Sequence, residues 1–138
     1  MTGTKSIVLI AAVMVFFLVS CSPVGFEQSI EEVFVATPDT ISVADSSRYN
    51  DIRVRLVASL GNSTAFRLDH IGYSLTDTLF SFVVFVYRYE KSNELYVVKE
   101  IKLDSTLVLF LNPPRYGKHY FKFFDSQNSF LIDSTLVY

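Results

Sequence analysis

Residues 52–60 alternate strictly. Ile52, Val54, Leu56, Ala58 and Leu60 fall on one side, and Arg53, Arg55, Val57 and Ser59 on the other. Successive side chains of a strand point to opposite faces, whereas a helix brings a face round every ~3.6 residues. The segment therefore predicts a strand with one buried and one solvated face. On that solvated face Arg53 and Arg55 read as ordinary sheet surface rather than as an anion-binding pair.

The remaining chain carries the same signature in shorter pieces. Residues 32–37 and 40–44 read as strands parted by Pro38-Asp39, since proline cannot donate to a ladder. Residues 45–51 are turn-like, and Gly61-Asn62-Ser63 predicts a turn. Residues 65–75 read as extended, with Gly72 as a bulge position. Residues 79–90 are the most apolar stretch after the N-terminal region. Both faces are apolar from Phe82 to Val86, which predicts a central strand covered on both sides. A polar loop at 91–94 precedes strands at 95–103 and 106–111, with Asp104-Ser105 read as the turn between them. After the breaker run 112–117, strands at 119–124 and 129–138 flank a polar turn at 125–128. Seven to nine short strands without an amphipathic helix predict an all-β fold, an antiparallel sandwich or barrel.

Composition excludes several function classes. No block of like charge stands out, so nucleic-acid binding has no footprint. The two histidines, His70 and His119, show no metal-ligand spacing, and the five glycines are scattered rather than forming a phosphate loop. Asp69 and His70 are strand neighbours, and a regular strand points them apart, which argues against a catalytic or metal-binding pair. His119 reads as a surface or half-buried strand residue. No cofactor, metal site or catalytic residue is expected.

The N-terminal region has a separate logic. Residues 7–19 carry no charge and follow Lys5. Thirteen residues make a helix of ~20 Å, short of a bilayer core of ~30 Å, so the run predicts a cleaved secretory signal. It ends in Leu18-Val19-Ser20-Cys21, which resembles the bacterial lipobox. The resemblance implies a diacylglyceryl group on the Cys21 sulfur, cleavage between Ser20 and Cys21, and acylation of the new amino terminus. Cys21 is the chain's sole cysteine, so no internal disulfide competes for it. Multiple acyl chains make such anchoring stable, where one alone is marginal. The absence of aspartate at Ser22 implies transfer to the outer membrane, facing the periplasm or the cell surface. The expected organisation is a signal peptide over residues 1–20, a lipidated tether over 21–31 and one domain over 32–138.

The C-terminal part carries a second resemblance. Leu111, Pro113, Pro114, Gly117 and Tyr120, followed by Phe121-Lys122-Phe123 and a hairpin, resemble the approach to the penultimate strand of immunoglobulin-like and fibronectin-type domains. This implies an immunoglobulin-like β-sandwich with Tyr120 in the tyrosine-corner position. The core is then expected to hold Phe82, Val84, Phe121 and Phe123. The leading expectation is a membrane-anchored envelope lipoprotein with a non-enzymatic binding or structural role, its partner an envelope protein or glycan. The alternative is a barrel-like carrier of a hydrophobic ligand, which requires an internal cavity of several hundred Å³.

Overall fold

The structure is a computed structural model, and it describes residues 28–138. The expected signal peptide, Ser20, Cys21 and the first part of the tether lie outside the described residues. Among the described residues nine strands build two sheets that share one core.

The smaller sheet has three strands in the order β2 (Thr37–Val43), β4 (Ile52–Ser63) and β7 (Val98–Leu109). The alternation over residues 52–60 appears as read: Ile52, Val54, Leu56, Ala58 and Leu60 are buried and Arg53 and Arg55 are exposed. Two expected turns are absent. Gly61-Asn62-Ser63 stays within β4, where register shifts on either side of Gly61 absorb the irregularity. Asp104-Ser105 lies mid-strand, so the two segments expected over 95–111 form one strand, β7. Asp104 is tolerated there because it points outward towards Arg55 of β4.

The larger sheet has six strands and centres on β6 (Leu79–Lys91). One edge of β6 pairs with β5 (Phe66–Thr76). Its other edge is shared end to end: β8 (Gly117–Phe124) runs parallel along Leu79–Phe82, and β1 (Ser29–Val35) antiparallel along Phe85–Lys91. Beyond β8 come β9 (Phe130–Val137) and the two-residue β3 (Ser46–Ser47), which is parallel to β9. The ladders are thus mainly but not wholly antiparallel. After β1 the chain changes sheets: the buried Ala36 still donates its N–H to the Val84 carbonyl at 2.8 Å, and Thr37 then opens β2 in the other sheet.

The core is where the alternations predict it. Phe82, Val84, Phe121 and Phe123 are fully buried, against Ile52, Val54 and Leu56 of the facing sheet. Phe80 and Phe121 stack with centroids 5.0 Å apart. One long side of the sandwich is tied by Asp133 of β9, whose Oδ2 accepts the Val43 N–H at 2.9 Å. On the opposite side, between β5 and β7, an apolar groove of about 170 Å³ opens to solvent, lined by Tyr73, Leu75, Phe80, Val108, Leu109 and Phe110.

Candidate functional site

Residues directly opposite each other in a ladder share a face of the sheet. With Phe80, Phe82, Val84 and Val86 turned into the core, Leu79, Ser81, Val83, Phe85, Tyr87 and Tyr89 must face out. Their ladder partners join them there. From β1 come Glu31, Val33 and Val35, and from β8 Tyr120 and Lys122. From β9, the partners of β8 add Phe130, Ile132 and Leu136. The result is a broad apolar and aromatic face, with Val33, Tyr120, Phe130, Ile132 and Leu136 exposed. The expectation that β6 is covered on both sides holds in part: its outward residues are half-buried under single side chains such as His70 and Arg67, with no second layer of strands over them among the described residues.

Cations lie on the aromatic rings of this face. Lys122 Nζ sits 4.2 Å from the centroid of Phe130, and Arg67 Cζ 5.0 Å from that of Tyr87. Lys118 Nζ is 5.6 Å from the ring of Tyr120. Cations placed over ring faces are attracted by the ring quadrupole and keep their apolar stems flat on the sheet. Burial, reinforced by the Glu31 carboxylate, holds the Tyr87 phenol above its ordinary pKa. Tyr120 therefore does not occupy a buried corner; it points out, and its neighbour His119 is the residue sealed in the core.

His119 corrects a second expectation, that of a surface or half-buried residue. It is 0% exposed. The strand begins at Gly117, so His119 shares the inward parity of Phe121 and Phe123. Its Nδ1–H donates to the Gly117 carbonyl at 3.1 Å, and its buried Nε2 has no hydrogen-bond partner. A ring enclosed in this way reaches no substrate.

Asp69 and His70 correct a third. They do face one another, His70 Nδ1 lying 2.6 Å from Asp69 Oδ2. The reason is a bulge between Leu68 and His70, which removes Asp69 from the ladder and breaks the alternation. The bulge expected at Gly72 sits here instead. The imidazole stacks on Phe85, centroids 4.4 Å apart. The pair is exposed and belongs to the same outer face. Among the described residues no group of three His, Cys, Asp or Glu side chains is placed to hold a metal ion.

The outer face of the smaller sheet contrasts with this. Arg53 Nε meets Asp51 Oδ1 at 3.0 Å. Arg55 makes a two-pronged pair with Asp104, one arm at 2.8 Å, and this hydrogen bonding holds the Asp104 carboxyl below its ordinary pKa. Lys102 Nζ lies 3.4 Å from Asp39. The arginines are thus neutralised within the sheet, as the surface reading of Arg53 and Arg55 requires.

The larger sheet's outer face was legible only as parity: Val83, Phe85, Tyr87 and Tyr89 are apolar at every second position, but which face the core takes is set by the partner sheet. No protein-family model matches the chain, and no curated protein or solved structure matches it.

Proposed function

We propose that this chain is a lipid-anchored envelope protein of non-enzymatic role. It is held by acyl groups on Cys21 and uses the outer face of its six-stranded sheet to bind another envelope protein. The observation that carries this reading is the broad, partly exposed aromatic face of the larger sheet, against an ion-paired face on the opposite sheet. Soluble domains rarely leave a contiguous apolar patch of this kind without a partner, and Tyr and Phe are the residues enriched at interface centres. Among the described residues Lys118 and Lys122 make no ion pair on that face, so the partner surface is apolar with acidic groups.

The sandwich itself is read as a rearranged immunoglobulin-like fold. The neighbours β2-β4-β7 and β8-β9 match that architecture, while the parallel pairing of β6 with β8 departs from it. The carrier alternative finds less support. The core is filled by packed aromatic rings, and the apolar groove at the open side holds about 170 Å³, below the ~300 Å³ at which ligand pockets begin.

The test is site-specific photocrosslinking in cells. A photoreactive residue at Ile132 or Val33 is expected to give one discrete protein adduct, and the same probe at Thr106 on the other sheet none. Equal labelling from both faces, or none from either, overturns the reading.

A further inference from the structure

The sandwich has two ends, and the chain enters at only one of them. Gln28 is fastened to the loop between β6 and β7: its carbonyl accepts the Ser92 N–H at 2.8 Å, and its own N–H donates to Ser92 Oγ at 3.2 Å. That loop, together with Val98 at the start of β7, carries the two most exposed large hydrophobic side chains of the described residues. Leu95 is 101% exposed, Val98 85% and Val97 62%.

The loop is held in shape while presenting them. Val97 N–H donates to Thr64 Oγ1 and Thr64 N–H to the Val97 carbonyl, both at 3.0 Å, pinning the loop to the turn between β4 and β5. The Tyr96 hydroxyl accepts the Lys91 N–H at 2.9 Å and donates to Glu94 Oε2 at 3.0 Å. The loop's single carboxylate is thereby paired within the segment, with Lys91 Nζ 3.8 Å away. The polar groups named above are engaged, and no described residue buries the aliphatic side chains beside them.

Cys21 lies seven positions before Gln28. Seven residues span at most ~25 Å, and a domain of this size has a radius of gyration of roughly 13 Å. A chain acylated at Cys21 therefore cannot lift the Gln28 end far from the lipid.

We propose that the loop carrying Leu95, Val97 and Val98 is a second membrane contact, dipping into the bilayer interface beside the tether. The inference rests on the lipid-anchor reading. The occupant is a bilayer surface because the tether exits at this loop and keeps it within ~25 Å of the acylated residue. With acyl chains and loop both engaged, the sandwich stands on one end, and the outer face of the six-stranded sheet is turned away from the lipid. Apolar side chains at such a contact reach ~5–10 Å into the headgroup region.

The chain contains no tryptophan, so one introduced indole reports alone. The full chain is matured in a lipoprotein-processing bacterium as Leu95→Trp and, separately, Phe110→Trp. Phe110 is 71% exposed and follows the far end of β7, the strand that starts at Val98. Each protein is placed in phosphatidylethanolamine–phosphatidylglycerol vesicles with plain or dibrominated acyl chains. Leu95→Trp is expected to emit at shorter wavelength and to lose most of its emission to the brominated lipid, and Phe110→Trp to do neither. Adding Val98→Asp to Leu95→Trp is expected to restore the emission. If the protein floats with vesicles and has the mass of an acylated Cys21 terminus, yet both indoles emit as in water, the loop contact is overturned and the anchor stands. If it neither floats nor carries acyl groups, the anchor falls and the loop contact with it.

Discussion

Strands β4 and β6 each lie centrally in a sheet, and each sends every second side chain into the same core. They differ on the other face. β4 turns out Arg53 and Arg55, which Asp51 and Asp104 neutralise. β6 turns out Val83, Phe85, Tyr87 and Tyr89, which are half-buried under single side chains such as His70 and Arg67 but lie beneath no further layer of described strands. Equal inner faces make both strands structural. The unequal outer faces separate an ion-paired sheet surface from an apolar, aromatic one, and the proposed function assigns the second to a partner.

If the inner faces are equivalent, truncating either should cost alike and cost most. Phe82→Ala is expected to destabilise by ~3–5 kcal/mol and Leu56→Ala by ~2–5 kcal/mol, read from urea unfolding midpoints. A negligible cost at Leu56 would break the equivalence.

Next come the glycines, which test how tightly each sheet is closed. A Cβ on Gly61 would lie 2.2 Å from Cγ of Phe66, a ring packed edge-on to Phe34. A Cβ on Gly72 would meet Phe85 Cε2 at 3.2 Å, on the open outer face. Gly61→Ala should cost about 1–3 kcal/mol as overpacking, and Gly72→Ala distinctly less, because its Cβ meets only a ring edge and at a longer distance. Thermal unfolding of both variants gives the order.

The outer faces come third. Ile132→Asp and Thr106→Asp should each change stability by no more than about 0.5 kcal/mol, as surface substitutions do. Only Ile132→Asp should abolish the discrete photo-adduct formed from a probe at Val33. Loss of the adduct in both variants would erase the distinction between the sheets.

The smallest effect is the pH dependence of the Arg55–Asp104 pair. The pair is exposed, so its contribution is slight. Hydrogen bonding from Arg55 lowers the folded-state pKa of Asp104 below its unfolded value, ~3.8–3.9. The stabilisation is therefore present above that value and is lost as pH falls through the lowered folded pKa. The stability gap between the native chain and Asp104→Asn should persist at neutral pH and close in acid. A gap that widens on acidification would reverse the sign.

How much of this was legible in the sequence follows from range. The alternation of 52–60 is local, and β4 appears where it was read. The core phenylalanines obey the same parity. What failed depended on contacts distant in the chain. Asp104-Ser105 looks like a turn until Arg55 is placed opposite it. Gly61 looks like a turn until β7 holds it in register. The bulge at Asp69 turns two strand neighbours to the same side, which no alternation count reveals. The outer face of β6 was visible as apolar residues, but an apolar run does not say whether its second side meets another layer or only single side chains and solvent.

The handover at Ala36 has a mechanical consequence. Load from a tether enters at Gln28, the residue before β1. A pull directed along β1 acts parallel to its ladder with β6, so the seven pairs from Ser29 opposite Lys91 to Val35 opposite Phe85 share the force in shear instead of opening one by one. The same run of chain continues through Ala36 into β2, which passes the remaining tension to the second sheet. Under the proposed anchoring, the segment that receives the load is therefore also the strap that keeps the two layers from sliding apart.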